Sequence, residues 1–157
     1  MIELPAKSDL KINRLEFSIE IKADRSSIWN ALWEDKNYRD WAAVFAEGSH
    51  YLIDNWEEGA KIMFLGPDAS GIYSTIESLI PNKEIQFRHI GNVLEGKEQE
   101  PDDEVKKWSG TTEKYSLLES KAATTLFVEI DVLNEHLEFM RKKLPEALER
   151  IKNKATS

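Results

Sequence analysis

Three histidines, His50, His89 and His136, and a carboxylate two residues before a phenol, Glu113 and Tyr115, are the groups in this 157-residue chain suited to acid–base or metal chemistry. The histidines are too scattered for metal-ligand spacing, and without cysteine a zinc site would need distant carboxylates. His89 alternates with Ile85 and Phe87, which turns its imidazole toward the covered side of a strand. It reads first as a partly buried, hydrogen-bonded histidine and second as a group that contacts a ligand or moves a proton. Glu113 shares its parity with Tyr115 and Leu117 and faces the interior in the same way. A carboxylate there needs a partner, because desolvation alone is costly, and His89 and Arg88 are the nearest suitable types. No G-x-S-x-G, glycine-rich nucleotide loop or histidine-carboxylate zinc motif occurs. No catalytic residue, metal or cofactor is therefore assigned.

Aromatic side chains carry a stronger signal. Trp33, Trp41, Phe45, Phe64, Phe87, Trp108 and Tyr115, with Met140 and Leu144 from the last helical pattern, either fill a solid core or line a space beneath that helix. Trp108 ends a connection from Gly91 to Gly110 that contains the acidic run Glu95 to Glu104. The run reads as a solvated loop, and Trp108 as its anchor or as a lid over a cavity mouth.

These groups must be positioned by a recognisable series of elements. Leu15, Phe17, Ile19 and Ile21 alternate with Glu16, Ser18, Glu20 and Lys22, the pattern of a half-buried strand. Asp24 follows as a helix cap, ahead of an apolar stripe of Ile28, Trp29, Leu32 and Trp33, and a second short helix is predicted over Asn37 to Phe45. Six strands follow, over Ser49–Ile53, Lys61–Leu65, Ile72–Ile80, Glu84–Ile90, Thr111–Glu119 and Thr124–Val132. Asn134 is expected to cap a terminal helix reaching Lys154, with Leu137, Met140, Leu144, Leu148 and Ile151 on one face and a kink or break near Lys143 caused by Pro145. A curved antiparallel sheet must cover its apolar face, and only that helix is long enough to do so.

Lysine plus arginine is 21 against 29 acidic residues, a net charge of −8, which argues against a phosphate backbone as partner. The length suits one domain, 1–157, with a core from about 15 to 152. The opening MIELPAKSDL lacks a secretory pattern and no apolar run approaches a bilayer span, so a cytoplasmic protein without membrane insertion is expected.

The segments IWNALWEDKNYRDW, GIYSTIESLIPNKEIQFRHIG and EKYSLLESKAATTLFVEID resemble the SRPBCC (START-like) superfamily, in the branch of small bacterial proteins similar to the C-terminal domain of the heat-shock-chaperone ATPase activator. Ile28, Trp29, Leu32 and Trp41 match its first helical motif, and Glu77, Pro81 and Ile85 a later strand motif. Lys121 and Ala122 stand where relatives often have an Asp-Gly turn. The resemblance implies an α+β helix-grip fold with a cavity under the last helix. It further implies a small hydrophobic or amphipathic ligand, lipids included, bound for transport, sequestration or sensing. His89, Tyr115 and Arg141 would orient its polar end. Two alternatives stay open: a module that binds a partner protein, and a cyclase-like enzyme acting on a hydrophobic substrate.

Overall fold

The computed structural model describes residues 12–157, and the opening segment read above for a secretory signal lies outside them. The elements run β1 (Ile12–Ile21), α1 (Arg25–Trp33), α2 (Asp35–Ala42), β2 (His50–Ile53), β3 (Lys61–Leu65), β4 (Gly71–Ile80), β5 (Glu84–Leu94), β6 (Lys97–Glu98), α3 (Asp103–Lys106), β7 (Thr112–Glu119), β8 (Thr124–Leu133) and α4 (Leu137–Ala155). The strands form one antiparallel sheet in the order β1-β8-β7-β5-β4-β3-β2, with β6 folded back on the end of β5. α4 and the two short helices cover one face of this α+β, helix-grip architecture.

Alternation dictates which face is covered. In β8, Leu126 and Val128 are fully buried, and in β1 Leu15 and Ile21 are buried while Glu16, Ser18 and Glu20 are exposed. The two strands pair along their whole length, from Ile12 opposite Leu133 to Ile21 opposite Thr124. The turn between β7 and β8 holds Lys121 and Ala122 and is closed by the N–H of Ser120 donating to the carbonyl of Ala123 at 2.8 Å.

Asp24 caps α1 as expected, its carboxylate accepting from the N–H of Ser27 at 2.8 Å. That backbone bond holds the Asp24 carboxyl below its ordinary value. α2 starts earlier than the apolar spacing predicts, because the single extended residue Glu34 both ends α1 and begins α2. Asn37 and Trp41 fasten the corner, donating to the carbonyls of Asn30 at 3.0 Å and Leu32 at 2.9 Å. Phe45 consequently sits in the turn after α2.

The terminal helix departs from expectation twice. Asn134 does not cap it; residues Asn134–His136 form a 3₁₀ turn, and α4 starts at Leu137 without a side-chain cap. Of the kink or break expected near Lys143, the break does not occur, since the helix runs through Pro145 to Ala155. Pro145 lies on the exposed face, so the carbonyl of Arg141, which loses its donor, is on the water side. Leu144, Ala147, Leu148 and Ile151 are buried against the sheet and α1.

The connection from Gly91 to Gly110 is more ordered than its composition suggests. β5 continues to Leu94, past a bulge at which Tyr73 pairs with Gly91 but Ser74 pairs with His89. Gly91 has no Cβ for a steric reason: one would lie 2.7 Å from the ring of Tyr73. The remainder holds the return strand β6 and the single turn α3, capped by Asp102, whose Val105 is almost fully buried. Among the described residues no helix is long and apolar enough to cross a membrane.

Candidate functional site

Inward-facing side chains of β4, β5, β7 and β8 form the floor of a groove, and α2 and the first turns of α4 form its walls. Two adjoining cavities of about 260 and 450 Å³ lie there and share Ile72, Glu113, Ile130, Phe139 and Met140, making one continuous space. The first is largely apolar, bounded by Trp41, Phe45, Phe64, Tyr115 and Leu144. The second is more polar, bounded by His89, Asn92, Trp108, Thr111, Asp131 and His136.

A hydrogen-bonded chain crosses the floor where the two meet. Ser74 Oγ lies 2.7 Å from His89 Nδ1, His89 Nε2 lies 3.2 Å from Glu113 Oε1, and the Tyr115 hydroxyl donates to Glu113 Oε2. Strand register makes this chain. Ser74 is directly opposite His89, and Glu113 is opposite Phe87, two residues from His89 on the same face. Burial, and then the charge of Glu113, push the Tyr115 hydroxyl well above its ordinary value, so it stays a phenol and keeps donating. Burial likewise raises Tyr38, with Glu113 adding to the effect. The chain thus fixes a carboxylate at the junction of both cavities, its side chain 19 % exposed.

A second carboxylate, Asp131, is already matched. Arg14 donates to it at 2.9 Å and the N–H of Thr112 at 3.0 Å. Burial works to raise its carboxyl, but these bonds outweigh burial and leave it below its ordinary value.

The structure brings most of the sequence-predicted residues together and displaces a few. Trp41, Phe45, Phe64, Tyr115, Met140 and Leu144 border the first cavity, and His89, Trp108 and Met140 the second. Trp33 and Phe87 border neither. Both are sealed in the core behind the groove, their ring centroids 5.4 Å apart and the Trp33 ring 5.0 Å from Tyr115. Arg141 points to solvent and pairs with Glu138 at 3.2 Å, away from any position to orient a ligand. Arg88 lies on the outer sheet face and pairs with Glu77, so of the two partners proposed for Glu113 only His89 meets it. Trp108 is on the wall, but its segment is strapped down: the N–H of Gly110 donates to the carbonyl of His89 and the hydroxyl of Ser109 to the carbonyl of Ile90, each at 2.8 Å.

Ser74 was missed, although its alternation with Ile72 and Ile76 in GIYSTIE marks an inward-facing hydroxyl. Phe139 was missed because it lies off the apolar stripe of α4 and is half-exposed at the groove mouth.

No protein-family model matches the chain, and no curated protein matches it by sequence. Solved structures do. The chain is similar to the Aha1 dimer from Colwellia psychrerythraea, at 20% identity with a TM-score of 0.65, over 90% of this chain and 94% of that one. It is similar to protein MLL2253 from Mesorhizobium loti, at 11% identity with a TM-score of 0.67, over 90% and 96% of the two chains. It also resembles DynU16 of the dynemicin biosynthetic locus, at 13% identity with a TM-score of 0.60, over 89% of this chain but 46% of that one. At these identities the likeness shows the fold, an α+β helix grip, and not the activity.

Proposed function

We propose that this protein, as a START-like superfamily member, binds a small amphipathic molecule in the groove between its sheet and α4. The observation that carries this reading is the continuous space beneath the first turns of α4, apolar at one end and polar at the other. Apolar burial would supply affinity, at roughly 25 cal/mol per Å², and the polar chain at the junction would set orientation. Of the residues expected to contact such a molecule, Trp41, Phe45, Phe64, Trp108, Met140 and Leu144 supply its apolar surroundings, and His89 and Tyr115 act through the carboxylate they hold. Trp33 and Phe87 support the wall from behind.

The Ser74 hydroxyl is fully buried and therefore positions His89 without being available as a nucleophile, which favours a binding role over a reaction. A protein-partner role, raised by the Aha1 dimer among the neighbours, has thinner support. At 20% identity that neighbour shares the fold with this chain, and its assembly is a property of that protein. Native mass spectrometry of protein purified from its own host tests the proposal. A retained small molecule, lost on denaturation, is the expected result; a bare chain that also fails to bind apolar dyes would overturn it.

A further inference from the structure

We infer, building on the groove's reading as a ligand site, that it selects cationic amphiphiles: alkyl or aryl amines whose ammonium sits against Glu113 and whose apolar body lies along Phe64, Trp41 and Met140. The sign of the charge follows from how the polar chain satisfies itself. Ser74 is fully buried, and His89 Nδ1 is its hydroxyl's hydrogen-bond partner among the described residues. If the imidazole carried a proton on both nitrogens, the Ser74 hydroxyl would lose that acceptor and be left buried without one. With the ring proton on Nε2, Ser74 donates to Nδ1, Nε2–H donates to Glu113, and Tyr115 donates to the other Glu113 oxygen. Every group is then satisfied, and the carboxylate keeps one full negative charge. Each of its oxygens has a further lone pair, and the groove is the open direction.

The remaining charges do not cancel it. Among the described residues, neither cavity is bordered by lysine or arginine. The other carboxylate on the wall, Asp131, is neutralised by Arg14, and His136 is 62% exposed beside Glu135. A ligand's head therefore meets a lone fixed anion within low-dielectric surroundings, where a carboxylate or phosphate is repelled and an ammonium is attracted. Trp108 on the same wall adds an aromatic ring, which favours a cation again. Fatty acids, the obvious occupants of an apolar groove, are disfavoured.

Displacement of the neutral dye Nile red by n-octylammonium, n-octanol and n-octanoate at pH 7 tests this, since the three share one tail. Octylammonium should displace the dye at about tenfold lower concentration than octanoate or better, and Glu113→Gln should bring the two within about twofold. Thr111→Lys, which places a fixed cation on the wall of the second cavity, should reverse the order, and serves if Glu113→Gln loses its cooperative melt. Octanoate binding as well as octylammonium, or an order unmoved in a folded variant, overturns the selectivity while dye and octanol binding leave the ligand site standing. Failure of dye and octanol alike to bind the folded protein removes both.

Discussion

The two ends of the sheet–helix interface are built from the same sheet and the same helix, yet one is solid and the other hollow. At the closed end, Ala147, Leu148 and Ile151 of α4 meet α1 and the sheet, and Trp33 plugs the space with ring contacts to Tyr38, Trp41, Phe87 and Tyr115 at centroid distances of 5.0 to 6.2 Å. At the open end, α4 offers half-buried Leu137 and Met140 and half-exposed Phe139 ahead of Leu144, and the sheet answers with His89, Glu113 and Asn92. The difference teaches that the cavity results from where α1 and α2 stop: their aromatic rings fill one end and reach no further. A packed end fixes the helix, which lets the other end stay unfilled.

Core truncation should break the closed end most severely. Phe87→Ala, at a fully buried ring, should cost about 3 to 5 kcal/mol in a denaturant titration. Leu148→Ala, at 4% exposure, should cost about 2 to 5 kcal/mol, and an unchanged midpoint would mean that this half of α4 does not pack as a core.

The open end should respond weakly and through charge. Asp131→Asn removes a partly exposed pair with Arg14 and should cost no more than about 1 kcal/mol. Because the folded Asp131 carboxyl lies below its ordinary 3.8, its contribution is fully present above that pH and is lost as pH falls from 3.8 through the lower folded value. Acid titration of wild type and variant should therefore converge below that window and differ above it. Smallest of all, Met140→Ala should cost less than about 1 kcal/mol, since the side chain borders open space and leaves little new cavity behind.

The closed end was the more legible in the sequence. Period-two alternation in LEFSIEI and TLFVEIDV and the helical stripe through Leu144, Leu148 and Ile151 report burial directly, because a covered face admits only apolar side chains. At the groove that logic weakens. His89 and Glu113 could be assigned to the inner face by parity, but their meeting depends on the β5–β7 register, which parity does not set, and that of His89 with Ser74 on the β4–β5 register, which bulges shift. The bulge after His89 also reverses parity, so that Asn92 borders the groove and β5 outruns the alternation that predicts its end at Ile90. Trp33 and Trp41 look alike as aromatic helix residues; only the corner at Glu34 decides that Trp33 is sealed in while Trp41 reaches the cavity.

The hollow end is tested most directly by filling it. Nile red titration and thermal melting, run together on wild type and Met140→Trp, separate a cavity from a solid core. A cavity predicts saturable binding at about one site in wild type with a rise in Tm, by mass action on the folded state, and a Met140→Trp variant that loses binding without losing stability. No saturable binding to the folded wild type, together with a Met140→Trp variant destabilised by about 1 to 3 kcal/mol as over-packing would require, would contradict the account.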